Sequence, residues 1–268
     1  GHDDYSSTRF TARYDQQLDP DRSLDVRLSH VTSQLGDPGS VLLPARSRQT
    51  DEESRLAVRL SSSRPLLGSR GSYELQLYGS RLSRRYRSPD SSSRHVNHTL
   101  GGEVSAQTLL PHGHLHIGVS LRNEHTESTD LVDGEYSRFF GALSTELLHR
   151  VSPRFMIAAG VRTDFSAVHQ AEFSPRLGLR YDHSPSDSYR FVVGRSFRYP
   201  SFSDLYWHRL GNPNLKPESG WSVEIGGDHQ HSSGLQWSWT VFHRHMRDLI
   251  IYDALIDEMR NLDETRTE

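Results

Sequence analysis

Sixteen histidines in a chain of 268 residues are the first chemistry to weigh, because imidazole is both a common metal ligand and a common acid–base group. His112, His114 and His116 alternate along the sequence and so share one face of any strand that carries them. His229 with His231, and His243 with His245, repeat that spacing. Imidazole pairs so spaced can hold zinc or copper. The plainer reading is of polar residues lining a hydrated lumen, and we assign no metal site. Tyr206, Trp207, His208 and Arg209 form a second cluster. Rings beside a cation suit a flat or anionic ligand, through stacking and charge pairing. The competing reading makes Tyr206 and Trp207 anchors for a loop at an interface. Serine, histidine and aspartate are plentiful, but none sits in a nucleophile elbow. No catalytic residue is assigned and no cofactor is expected. Cysteine is absent, which removes thiolate and disulfide chemistry, and the net charge of −3 gives no reason to expect nucleic acid.

The elements that must carry these residues are strands. Leu24, Val26 and Leu28 alternate with Asp25, Arg27 and Ser29, and Leu56, Val58 and Leu60 with Arg55, Ala57 and Arg59. Leu115, Ile117, Val119 and Leu121 alternate with polar partners that include His116 and Arg122. The same period returns at Leu177–Leu179–Tyr181, at Val223–Ile225 and at Trp237–Trp239–Val241. One face is apolar and the other often charged, over about thirteen strands with no convincing helix. Mean hydropathy is −0.68, and no apolar run approaches the ~20 residues of a membrane helix. A barrel strand shows lipid only every second residue, so a membrane barrel stays open.

The connections sharpen this. Short turns fall at Asp19-Pro20-Asp21-Arg22, Pro111-His112-Gly113, Val151-Ser152-Pro153, Ser184-Pro185-Ser186-Asp187 and Ser232-Ser233-Gly234, with a longer one at 65–71. Between them come mostly longer polar links at 35–53, 86–94, 125–135, 167–171, 199–219 and 252–258. A meander places alternate connections at opposite sheet ends. Short turns at one end and long loops at the other is the layout of an outer-membrane barrel, with the turns periplasmic. A soluble β-sandwich also alternates. Against it stand strands that run past ten residues, at 136–150 and 234–250, and aromatics near strand ends, as at Phe139, Phe140, Phe155, Tyr189, Trp221 and Trp237, like the girdles of a membrane barrel. The fold expected is all-β: part of an antiparallel transmembrane barrel, with Leu24, Val26, Leu28, Ile117, Val119, Ile225 and Trp239 facing out and Arg27, His116 and Glu224 facing in.

Between Phe173 and Asp263 the sequence resembles the barrel of TonB-dependent outer-membrane receptors. Phe173-Ser174-Pro175-Arg176 matches a strand-opening signature. Phe197-Arg198-Tyr199-Pro200-Ser201-Phe202 matches the family's FRAP segment, with Tyr199 in place of alanine. Asn212-Pro213-Asn214-Leu215-Lys216-Pro217-Glu218 matches its NPNLKPE segment. Arg247-Asp248-Leu249-Ile250 and Arg260-Asn261-Leu262-Asp263 resemble the strands that follow. Prolines without donors bracket Asn214-Leu215-Lys216, so the last segment should end pairing and turn the chain back, a structural role for Phe197, Arg198, Pro200, Asn212, Pro213, Asn214, Leu215, Pro217 and Glu218.

The resemblance implies uptake of a metal chelate, either a ferric siderophore or a cobalamin. It implies TonB as a partner, reached through a plug domain, and a wall that sits in outer-membrane lipid. It also implies a plugged barrel of about 22 strands. Neither the plug nor a closing C-terminal strand is recognised, no signal peptide opens the chain at Gly1-His2-Asp3-Asp4, and residues 1–268 are expected to be a fragment of the barrel. His208 stands between segments where haem receptors of the family carry a haem-binding histidine, which makes a haem receptor an alternative. A soluble binding module and an outer-membrane barrel enzyme complete the alternatives.

Overall fold

The computed structural model describes residues 4–39, 44–64, 70–231 and 233–267. Thirteen strands follow in chain order: β1 (Tyr5–Asp19), β2 (Arg22–Gly39), β3 (Pro44–Ser62), β4 (Gly71–Arg87), β5 (Ser92–Leu110), β6 (Gly113–Ser128), β7 (Glu135–Ser152), β8 (Phe155–Ser166), β9 (Glu172–Asp182), β10 (Asp187–Arg198), β11 (Glu218–Gln230), β12 (Gln236–Asp253) and β13 (Glu258–Thr267). A single short helix, α1 (Phe202–Tyr206), interrupts the series. Each strand pairs antiparallel with its sequence neighbour in one sheet of order β1 to β13. No second sheet packs on it among the described residues, which removes the β-sandwich.

Register fixes which side chains share a face. Leu24 lies opposite Leu60, Leu60 opposite Leu75, Leu75 opposite Val104, Val104 opposite Val119 and Val119 opposite Leu143. This apolar row is the outward face. Asp25, Arg59, Gln76, Glu103, Ser120, Ala142 and Asp164 make the row beside it on the other face. Ile225 and Trp239 fall on the apolar side, Arg27, His116 and Glu224 on the polar side, as the alternation demands. The polar face is the concave one: Leu82 and Arg84 of β4 line the same hollow as Ser201, Phe202 and Trp207, which follow β10.

The burial pattern is inverted relative to a soluble domain. Leu77 is 53% exposed and Val241 65%, while among the described residues only seven aliphatic or aromatic side chains, including Val96, Leu205, Leu215 and Phe140, are buried, and Phe140 faces the lumen beside Arg138 rather than joining the aromatic border. A water-soluble chain of this length hides far more of its apolar surface. An aromatic row marks one border of the outward face: Phe155 pairs with Tyr181, and Tyr181 with Tyr189. Beside them the Trp239 indole covers Gly227, where an added Cβ would come within 2.6 Å of the indole nitrogen.

Two expectations change. The link expected at 35–53 is mostly strand, since β2 continues to Gly39 and β3 begins at Pro44. The links at 86–94 and 125–135 shrink in the same way. Beyond the lipid no outward residue need be apolar, so the alternation fades while the ladder continues. Secondly, His243 and His245 share the outward face with Val241, and His229 falls there too, so these three do not line the lumen. His114 and His116 do lie on the inner side of β6, and His112 stays in the turn. The turn expected at 65–71 lies largely outside the described residues, as does Ser232.

Candidate functional site

The segment between β10 and β11 turns inward at the loop end of the sheet. Ser201 caps α1: its hydroxyl accepts from the Asp204 amide at 3.1 Å, and the Asp204 carboxylate accepts from the Ser201 amide at 2.8 Å. That reciprocal pair satisfies two amides that would otherwise lack partners. Pro200 is fully buried and closes the helix entry. Leu205 and Leu215 are each 3% exposed and pack with Ile250, Tyr206 and Met259.

A charged joint holds this segment to the wall. The Arg198 guanidinium reaches both Glu218 oxygens at 2.7 and 3.0 Å and Asp204 at 3.0 Å. Glu218 also accepts the Ile250 amide of β12 at 2.7 Å. Asn212 donates from its side chain to the Met259 carbonyl at 3.0 Å and folds back to accept from the Asn214 amide at 2.9 Å. Asn261 of β13 answers by accepting from the Lys216 amide and donating to its carbonyl. Thus Arg198, Pro200, Asn212, Leu215 and Glu218 form one connection from β10 across to β13, with Pro200, Leu215 and Glu218 buried and Arg198 half-exposed. Pro213 and Asn214 are exposed on its surface, and Phe197 meets Tyr199 edge-on at 5.0 Å.

Tyr206, Trp207, His208 and Arg209 fall into two pairs. Tyr206 stacks flat on Tyr136 of β7, with centroids 3.7 Å apart, and Trp207 stacks on His95 of β5 at 5.8 Å. A bridge between Leu131 and Trp207 ties the same residues to the β6–β7 loop. His208 and Arg209 are exposed, and among the described residues the His208 amide donates to the Asp130 carbonyl at 2.9 Å while Arg209 takes a positive φ of 72°.

Sequence reasoning missed Arg138. Its guanidinium donates to Glu124 at 2.9 Å and to the Pro200 carbonyl at 2.6 Å, and it lies 4.4 Å over the Phe202 ring and 5.0 Å over Phe140. Nothing in the spacing of β7 separates it from the other inward arginines, because the Pro200 carbonyl that sets it apart lies in a loop 62 residues later. Two hollows meet at it. One, of about 480 Å³, is lined by His95, Asn97, Glu124, Phe202 and Trp207; the other, of about 400 Å³, by Tyr78, Arg122, Arg162, Asp164 and Tyr199. Lumen arginines here are paired with carboxylates, as Arg122 is with Glu124 and Arg162 with Asp164. Such a surface is wetted and offers cations, carboxylates and ring faces to a polar solute. No cluster of three or more metal-ligating side chains occurs among the described residues.

A curled antiparallel sheet with lipid-like apolar residues outside and paired charges inside defines the wall of an outer-membrane barrel. The family model "TonB dependent receptor-like, beta-barrel" matches residues 1–268, and the chain belongs to that family of receptors. Its outward face therefore lies in the outer membrane of a Gram-negative bacterium. By sequence it is 28% identical over 137 residues to a vitamin B12 transporter, BtuB, of Photobacterium profundum, spanning 50% of this chain and 22% of that protein. It is 41% identical over 70 residues to BtuB of Vibrio vulnificus, 25% of this chain and 11% of that one. The fold matches the siderophore receptor PirA of Pseudomonas aeruginosa with a TM-score of 0.78 and 18% identity, over 97% of this chain and 49% of that one. The chain thus spans about half the length of that receptor and a smaller share of the curated relatives.

Proposed function

We propose that this chain is the substrate-facing wall of a TonB-dependent receptor that takes up a metal chelate, a cobalamin or a ferric siderophore. The observation that carries the reading is the pair of polar hollows meeting at Arg138, at the loop end of a wall that is otherwise lined by balanced ion pairs. A chelate entering from the loops would meet ring faces at Trp207 and Phe202 and the exposed His208 and Arg209. No bond is made or broken in the cargo. A plug domain fills the lumen, and TonB, driven by the inner-membrane proton gradient, moves it. Likeness to vitamin B12 transporters in sequence supports cobalamin as the first substrate to test.

The test uses the intact receptor in outer-membrane vesicles, titrated with labelled cyanocobalamin, a ferric siderophore panel and haem. Saturable binding of one chelate is expected. Replacing His208 and Arg209 by alanine should weaken it roughly tenfold, the size of a lost charge-assisted hydrogen bond, while the folded barrel keeps its heat-shifted gel mobility. Unchanged binding would leave the loop as an anchor alone. Loss of haem binding in His208→Ala, with no other ligand bound, would replace the chelate reading with a haem one.

A further inference from the structure

The outward face of β4 changes character halfway along. It carries Tyr73, Leu75 and Leu77, then, beyond Gly79, Arg81, Arg85 and Arg87. Gly79 lies between Leu56 of β3 and Leu100 of β5, so it marks the upper border of the apolar band. Register extends the basic patch sideways: His98 faces Arg81, Arg94 faces Arg85, and Arg48 faces Arg87. From Arg81 to Arg87 is about 20 Å at the usual strand rise.

These cations differ from those of the lumen. On the inner face of the same strand, Arg84 forks onto Asp51 at 3.0 and 3.1 Å. Outside, Arg81, Arg85, Arg87 and Arg94 are exposed and, among the described residues, none is ion-paired. Arg48 reaches Asp4 at 3.1 Å, and two carboxylates share the outward face, Glu52 opposite Ser83 and Glu127 opposite Val96, neither of them ion-paired to Arg81, Arg85, Arg87 or Arg94 among the described residues. Four guanidiniums without counterions, directly above an apolar band that sits in lipid, need an anion supplied by the membrane. Arginine's planar fork suits a phosphate oxygen pair.

We propose that the outward arginines of β4 and β5 bind the phosphate groups of a phosphorylated glycolipid in the outer leaflet, holding it against this sector of the wall. The proposal rests on the loops facing the cell exterior, as in the preceding section, but not on which chelate is taken up. Continuity with the apolar band favours a lipid over a soluble anion, because the acyl chains and the phosphates are then met by one continuous surface.

The experiment purifies the intact receptor from outer membranes in mild detergent and measures phosphorylated glycolipid per protein by native mass spectrometry. Three forms are compared: wild type, Arg81→Ala/Arg85→Ala/Arg87→Ala, and the same three positions changed to lysine. Wild type should retain at least one lipid. The alanine form should retain roughly tenfold less, from lost juxtamembrane cation contacts, and the lysine form should keep most of it. Heat-shifted gel mobility reports folding, and if the alanine form fails to fold, Arg85→Ala alone serves in its place. Equal lipid retention in the folded alanine form would overturn the proposal. So would equal retention of a dephosphorylated glycolipid, or displacement by millimolar inorganic phosphate, which would point to a free-anion site instead.

Discussion

Glu218 joins three elements at once: it accepts two hydrogen bonds from Arg198 of β10 and one from the Ile250 amide of β12. Glu218 is buried whereas Arg198 is half-exposed, so the amide contact counts for more than the ion pair. Glu218→Ala should cost about 1–3 kcal/mol, the range for a buried donor left unsatisfied. The check is urea unfolding of the receptor in lipid vesicles, where Glu218→Gln should recover part of the loss. Equal losses in the two variants would show that the amide contact contributes little. The prolines and asparagines of this joint were readable as a chain reversal from sequence. Its partners were not, because Met259 and Asn261 lie two strands further on and only register brings them back. The same holds for Arg138, whose special position depends on a loop that no local pattern predicts. The outward arginines of β4 went unread in the sequence, because which of them point outward depends on the pairing of Leu75 with Val104 and Leu60.

At the scale of elements, strand existence was legible and strand length was not. Alternation reports contact with lipid, which needs only about 9–11 residues per strand. β2, β3 and β5 run for 18, 19 and 19 residues, so their upper parts stand clear of the membrane and carry no apolar signal. Where Pro175 ends the β9–β10 ladder, Arg195 donates to the Phe173 carbonyl at 2.7 Å and pairs with Glu172 at 2.7 Å. Side chains thereby close the seam that the backbone leaves open. The short link 167–171 packs above this seam. His169 stacks on Tyr199 at 5.3 Å, and the Tyr199 hydroxyl donates to the Asp164 and Gln170 carbonyls. Burial, with Glu172 and Asp164 nearby, pushes the Tyr199 phenol up to about 12. Burial first, and the charge of Arg138 second, hold His169 below its ordinary value. A histidine depressed in this way is neutral in the folded state, so the packing it supports is present above about pH 6.5 and is lost as pH falls below that. Hydrogen exchange of amides 167–171, corrected for intrinsic rate, should therefore be faster at pH 5 than at pH 7. The difference should vanish in His169→Phe. A difference that persists in the variant would assign the effect to Asp164 or Glu172 instead.

At the scale of the whole molecule, the chain is organised around what it excludes from water rather than what it buries. Its inner face is a set of paired charges and its outer face a band of exposed leucine, valine and isoleucine bordered by aromatics. The described sheet leaves β1 and β13 each with one free edge. Expressed alone in plain buffer, the chain should aggregate or require detergent, because free edges and an apolar band both recruit other copies. A monodisperse monomer with a cooperative melt in light scattering and circular dichroism would contradict that. The most direct test of the central claim uses the absence of cysteine from residues 1–268, with any cysteine elsewhere in the intact receptor first replaced by serine so that an introduced thiol is unique. In the intact receptor in lipid, nitroxide labels placed singly at Ile117, Gly118, Val119, Ser120 and Leu121 should alternate. Those at Ile117, Val119 and Leu121 should relax with lipid-soluble oxygen, and those at Gly118 and Ser120 with an aqueous nickel chelate. Uniform accessibility along β6, or the opposite phase, would show that this face does not meet lipid and that the chain is not a barrel wall.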